Sequence, residues 1–148
     1  LWYTKGIEDL TNNIEETIEY LKNITSGYES VIFIGASMGG YAAILYGSIL
    51  NVNHVIGFRP QTIIRDEDNI EIDPLFNDLC PVINSTTEYH LYGDSNILDE
   101  SDIHNIHHCR RISKNNNVKV YEYFDFDIKE YKNSGKLKDD FKSILFHL

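Results

Sequence analysis

Cysteine is scarce in this chain: Cys80 and Cys109 stand far apart in 148 residues and form no C-x-x-C pair. A disulfide scaffold, a cysteine-ligated metal site and a dithiol redox centre are thereby excluded. The two thiols are expected to be reduced and packed, as suits a cytoplasmic protein. Positive charge is also short. With 13 Lys and Arg against 23 Asp and Glu the formal net charge is −10, and only Arg110-Arg111 stand together. A phosphate backbone would be repelled, so nucleic acid is not an expected partner. No apolar run reaches the roughly 20 residues that a membrane-spanning helix needs. Glycine-rich phosphate loops are missing too: there is no Gly-Lys-Ser/Thr and no G-x-G-x-x-G, and no cofactor or metal is expected.

What is present fits one globular domain over 1–148, with 42% hydrophobic and 24% charged residues and no repeat or linker to divide it. Leu1-Trp2-Tyr3 opens without a methionine. The chain is therefore read as a domain of a longer protein, incomplete at its N-terminus and linked to a further partner domain.

The most informative stretch runs from Val31 to Ala43. An unbroken apolar run, Val31-Ile32-Phe33-Ile34, ends at Gly35-Ala36-Ser37-Met38-Gly39, after which small and apolar residues resume with helical character. Strand, sharp turn and helix are the context in which G-x-S-x-G becomes a mechanism. A serine at such a turn is held at unfavourable backbone angles, and Gly35 and Gly39 leave it room. Ser37 is thus the candidate nucleophile, and the backbone N–H of Met38, at a helix N-terminus, is a candidate oxyanion donor.

Around it the hydrophobic pattern predicts an amphipathic helix over 7–24, a strand over 30–34, a helix over 38–50 and a strand over 53–58. Residues 63–87, punctuated by Asp66-Glu67-Asp68, Pro74 and Pro81, read as a long loop with one or two short helices, of the kind that serves as a lid. A strand over 88–92, a turn at Gly93-Asp94-Ser95-Asn96, a helix over 103–113, a strand over 118–124 and a helix over 136–146 complete the chain. Its apolar face carries Leu137, Phe141, Ile144 and Leu145. This is an α/β fold: a mostly parallel sheet of about four strands flanked by helices.

A serine hydroxyl attacks an acyl carbon well only when a base takes its proton and an acid orients that base. On a sheet of this kind the acid follows a later strand, which points to Asp94, with Asp99 and Asp102 in the same connection as alternatives. No histidine follows the fourth strand, where the sequence reads Phe124-Asp125-Phe126-Asp127. The candidate bases are His104 and His108, one segment earlier. On a helix the pairs 104/107 and 104/108 would share a face, which also raises a metal-assisted reading of the cluster. His54 and His90, on or beside strands, read as structural, and His147 falls in the closing helix.

On the Gly35 to Ala43 turn and the order of elements, the chain resembles the α/β-hydrolase superfamily. Trp2-Tyr3-Thr4-Lys5-Gly6-Ile7, Phe58-Arg59-Pro60-Gln61-Thr62 and Ser134-Gly135-Lys136-Leu137 make it more closely similar to bacterial and viral proteins found near glycan-assembly enzymes. The resemblance implies the C-terminal half of a three-layer sandwich and a serine hydrolase or acyltransferase acting on a small-molecule or glycan acyl substrate. It further implies Ser37 as nucleophile, an acid after the following strands and a histidine near the last strand. The alternative is a non-enzymatic module of the same fold, serving binding or assembly in a larger protein. The distance from Ser37 Oγ to the nearest imidazole nitrogen separates the two.

Overall fold

The computed structural model describes residues 4–64 and 75–146. Leu1 to Tyr3, the acidic run Asp66-Glu67-Asp68, Pro74 and His147 lie outside the described residues. Four strands form one all-parallel sheet in the order β1-β2-β3-β4, with β1 at Ile32–Ala36, β2 at His54–Phe58, β3 at Glu88–Asp94 and β4 at Val118–Tyr123. Sequential order with parallel pairing requires each connection to cross the sheet before the next strand begins. β2 and β3 are central and are buried almost throughout, apart from the exposed Glu88, as apolar strands covered on both faces must be.

The two faces differ in chemistry. On one, helix α2 (Met38–Leu50) packs across β1 and β2, joined by α1 (Ile14–Thr25) and the short α3 (His107–Arg110) over an aliphatic core that includes Ile44, Leu45, Val55, Leu91 and Ile112. On the other, α4 (Ile128–Asn133) and α5 (Lys136–Phe146) cover an aromatic cluster of Phe58, Tyr92, Phe126 and Tyr131. Phe58 and Tyr92 stack with ring centroids 4.9 Å apart. Leu137, Phe141 and Ile144 of α5 pack against that cluster.

Several elements depart from their expected bounds for identifiable reasons. α1 begins at Ile14 rather than near residue 7, because the Asn13 side chain accepts the Glu16 N–H and caps the helix there. The preceding turns take positive φ at Gly6 and Asp9. β3 runs two residues further than expected, absorbing Gly93 and Asp94. The helix expected over 103–113 shrinks to four residues. Its upstream half is instead a run of side-chain-capped turns, in which Asp99, Asp102 and Asn105 each accept the N–H two residues on. Short polar side chains of this kind compete with a helix for its backbone donors. α4, which the hydrophobic pattern does not predict, is started by Asp127, whose carboxylate accepts the N–H groups of Lys129 and Glu130. α2 and α5 lie at their expected bounds. Both cysteines are free, as expected. Among the described residues no helix is long and apolar enough to cross a membrane.

Candidate functional site

The turn after β1 is strained where the sequence requires it to be. Ser37 has φ 52° and ψ −118°, a region that residues with a Cβ rarely occupy and that costs on the order of 1–3 kcal/mol. Three features hold it there. The Ser37 N–H donates to the carbonyl of Phe58 at 2.9 Å, fastening the turn to the end of β2. A Cβ on Gly35 would collide with the carbonyl of Gly39, so the strand and the first turn of α2 touch backbone to backbone. One on Gly40 would come within 2.8 Å of the Pro60 ring. Met38 opens α2, and its N–H forms no hydrogen bond among the described residues.

His104 meets the serine. Its Nε2 lies 2.8 Å from Ser37 Oγ, although the two residues are 67 positions apart. The imidazole rides on the connection after β3, and the run of capped turns aims it. Asn105, buried, ties this connection together by donating to the carbonyls of Ile97 and Asp99, both at 2.9 Å, and by bridging to Asp94 at the end of β3. With its proton on Nδ1, the neutral ring offers the Nε2 lone pair to the hydroxyl, the arrangement in which a serine can be deprotonated.

Of the candidate acids, Asp102 is beside the ring: its Oδ1 lies 3.7 Å from His104 Nδ1. That is beyond hydrogen-bond length, and the same oxygen accepts the His104 backbone N–H at 2.7 Å. Asp102 therefore biases the imidazole by charge and fixes its backbone rather than gripping its ring. Asp94 is committed elsewhere. Buried, it accepts the N–H of Asn96 at 2.9 Å and that of Phe126 at 3.0 Å, which holds the chain after β4 against the end of β3. Asp99 caps its own turn through Ser101.

His108 is likewise committed. It is buried, and its Nδ1 accepts the Thr62 N–H at 3.1 Å. Beside it, Arg111 forms a two-pronged ion pair with Asp78 and donates to the Thr62 carbonyl, pinning the segment after β2 to α3. The expected sharing of a helix face by residues 104, 107 and 108 does not occur, because His104 precedes α3 and lies in a turn. Among the described residues the group with metal-ligating geometry is not this cluster but His54, Glu88 and His90 at the other end of the sheet.

The sequence reading gave Arg59 no role of its own. It follows β2 directly, takes a left-handed φ of 42°, and its guanidinium makes no hydrogen bond or ion pair among the described residues. Its charge reaches His104: burial lowers the imidazole pKa below its ordinary 6.5, Arg59 lowers it further and Asp102 opposes both. A basic residue between an apolar strand and a proline was the available signal, since a strand end pointing toward a Ser–His pair is where substrate contacts arise.

Fold and site together define a parallel α/β domain with a serine–histidine pair at a strand-to-helix turn. Compared with known proteins, the chain matches no family model, no curated protein and no solved structure.

Proposed function

We propose that this domain is a serine-dependent esterase or acyltransferase of the α/β-hydrolase type, with Ser37 as nucleophile, His104 as general base and acid, and Asp102 as an electrostatic partner of the imidazole. The observation that carries it is the 2.8 Å approach of His104 Nε2 to Ser37 Oγ at a strained strand-to-helix turn. In this reading Nε2 takes the hydroxyl proton as Oγ bonds to the acyl carbon. The carbonyl oxygen gathers negative charge near the Met38 N–H, and the imidazolium then returns the proton to the leaving alkoxide. Water or an acceptor hydroxyl resolves the acyl-serine by the same route. Arg59, whose charge reaches the base, would favour acyl compounds carrying negative charge. The choice of an acylated carbohydrate as substrate rests on the sequence resemblance, and the cytoplasmic placement on the two free thiols.

The reading of the chain as an inactive module was motivated by the lack of a histidine after β4. The connection after β3 supplies one instead, which favours the enzyme. A fluorophosphonate probe should label the folded protein at Ser37 and leave Ser37→Ala unlabelled, with His104→Ala labelling far more slowly. Folded wild-type protein that resists the probe would favour the module.

A further inference from the structure

At the opposite, N-terminal end of the strands, three side chains stand together that the serine site does not use. His54 opens β2 and Glu88 opens β3, the two being paired across the sheet, and His90 lies two residues beyond Glu88 on the same face. His54 Nδ1 and His90 Nε2 are buried atoms with no hydrogen-bond partner among the described residues. Each points toward Glu88 Oε2, at 3.9 and 3.7 Å, too far for a hydrogen bond. All three atoms lie within 4.8 Å of one another. Buried polar groups are almost always satisfied, and two orphaned imidazole nitrogens facing one carboxylate oxygen call for a shared partner.

We propose that His54 Nδ1, His90 Nε2 and Glu88 Oε2 bind a divalent transition-metal ion, zinc by preference. Two imidazole nitrogens and one carboxylate oxygen are a donor set that zinc accepts, at about 2.0–2.2 Å each. Tetrahedral ligands at those lengths stand about 3.4 Å apart, so Glu88, whose side chain is half exposed, would close by roughly half an ångström, and the two ring nitrogens, within 4.8 Å of each other, would turn toward one another by up to about 1.5 Å. A supporting partner is present: Tyr121 Oη lies 3.3 Å from His90 Nδ1, and with Nδ1–H donating to that oxygen the lone pair of Nε2 would be left for the metal. The fourth position opens into a cavity of about 160 Å³ lined also by Lys119, Tyr121 and Ser143, where a water can complete the tetrahedron. Lys119 Nζ, 3.6 Å from Glu88 Oε2, is the metal's competitor for the carboxylate, and being more than half exposed it is free to swing away. Such an ion would clamp the starts of β2 and β3. It would not take part in chemistry at Ser37, which lies beyond the far end of β2, about 13 Å along the strand at ~3.3 Å per residue.

The test uses tag-free full chain, stripped with chelator and dialysed. Zinc uptake is read by equilibrium dialysis with elemental analysis, and geometry by the visible absorption of the cobalt(II) form. One equivalent of zinc, tetrahedral cobalt bands and a raised melting temperature are expected. Glu88→Gln, on a half-exposed position that leaves the fold intact, should weaken zinc at least tenfold, and His90→Gln should abolish stoichiometric uptake. Tyr121→Phe should weaken it about tenfold through the lost hydrogen bond to His90 Nδ1. Lys119→Gln should strengthen it, a gain that no unfolding artefact would produce. His107→Ala, remote from the group, should leave it unchanged. Wild-type protein that takes up no stoichiometric zinc, or uptake that survives in both Glu88→Gln and His90→Gln, overturns the proposal.

Discussion

The two ends of this sheet use histidine in opposite ways. At the C-terminal end the backbone is strained, Ser37 and Arg59 both adopting positive φ, and one imidazole is drawn into a short hydrogen bond with a hydroxyl delivered by a turn. At the N-terminal end the backbone is ordinary strand, and two imidazoles are set side by side by register alone, with one buried ring nitrogen of each unmet among the described residues. The difference is one of what fixes position. Loops place a group accurately only when they are themselves tied down, as the connection carrying His104 is by Asn105. Strand pairing places groups at no further cost but cannot bring an atom to within bonding distance unless a ligand completes the contact.

The sharpest way to break the contrast is to remove the imidazole that loops position. His104→Ala should lower kcat/KM for an activated ester by about 10³-fold or more without lowering the melting temperature, whereas His108→Ala should spare the turnover of folded molecules and cost stability through the stranded Thr62 N–H. Next comes the strain itself. Gly35→Ala forces a Cβ into the Gly39 carbonyl, and a loss on the order of 3 kcal/mol in chemical unfolding is expected. Asp94→Ala should cost about 1–3 kcal/mol, since it leaves the buried N–H of Phe126 without its acceptor, and this would separate a structural aspartate from a catalytic one. Asp102→Asn should reduce kcat/KM only about tenfold, far less than the roughly 10⁴-fold loss when a directly bonded triad aspartate is removed.

The smallest effect is on the pH profile. His104 must be neutral to act as base, and its pKa is already lowered by burial and by Arg59, so the acid limb should lie below pH 6.5. Arg59→Gln removes one depressing influence and should move that limb upward. Asp102→Asn removes the opposing one and should move it downward. A limb that stays put in both variants would separate His104 from the rate.

The turn at Ser37 was legible because its signal is local: an apolar run, two glycines and a helix in a dozen residues. Helices α2 and α5 were legible for the same reason, their period holding from end to end. The acid was not. Asp94 stands where a triad acid belongs by strand order, but whether a carboxylate faces a ring or a backbone N–H depends on where the chain goes after β4, which no local pattern carries. The helix expected over 103–113 failed at Asp99, Asp102 and Asn105, each two residues ahead of a donor it captures. The same error spread the histidines along one helical face when a turn separates His104 from the others. That His54 and His90 stand side by side was not legible either, because pairing register between strands cannot be seen in either strand alone.

Strand order has a bearing on how the candidate site comes into being. With β1 to β4 laid down in sequence, each new strand finds its template already made, and the contact between Phe58 and Ser37 closes as soon as β2 arrives. The hydroxyl is thus poised early, but the ring that would activate it lies beyond β3, on a connection whose anchor at Asp94 is held in turn by Phe126 after β4. On the proposed mechanism, a chain emerging from the ribosome would carry a preformed but dormant serine until nearly all of the sheet had assembled.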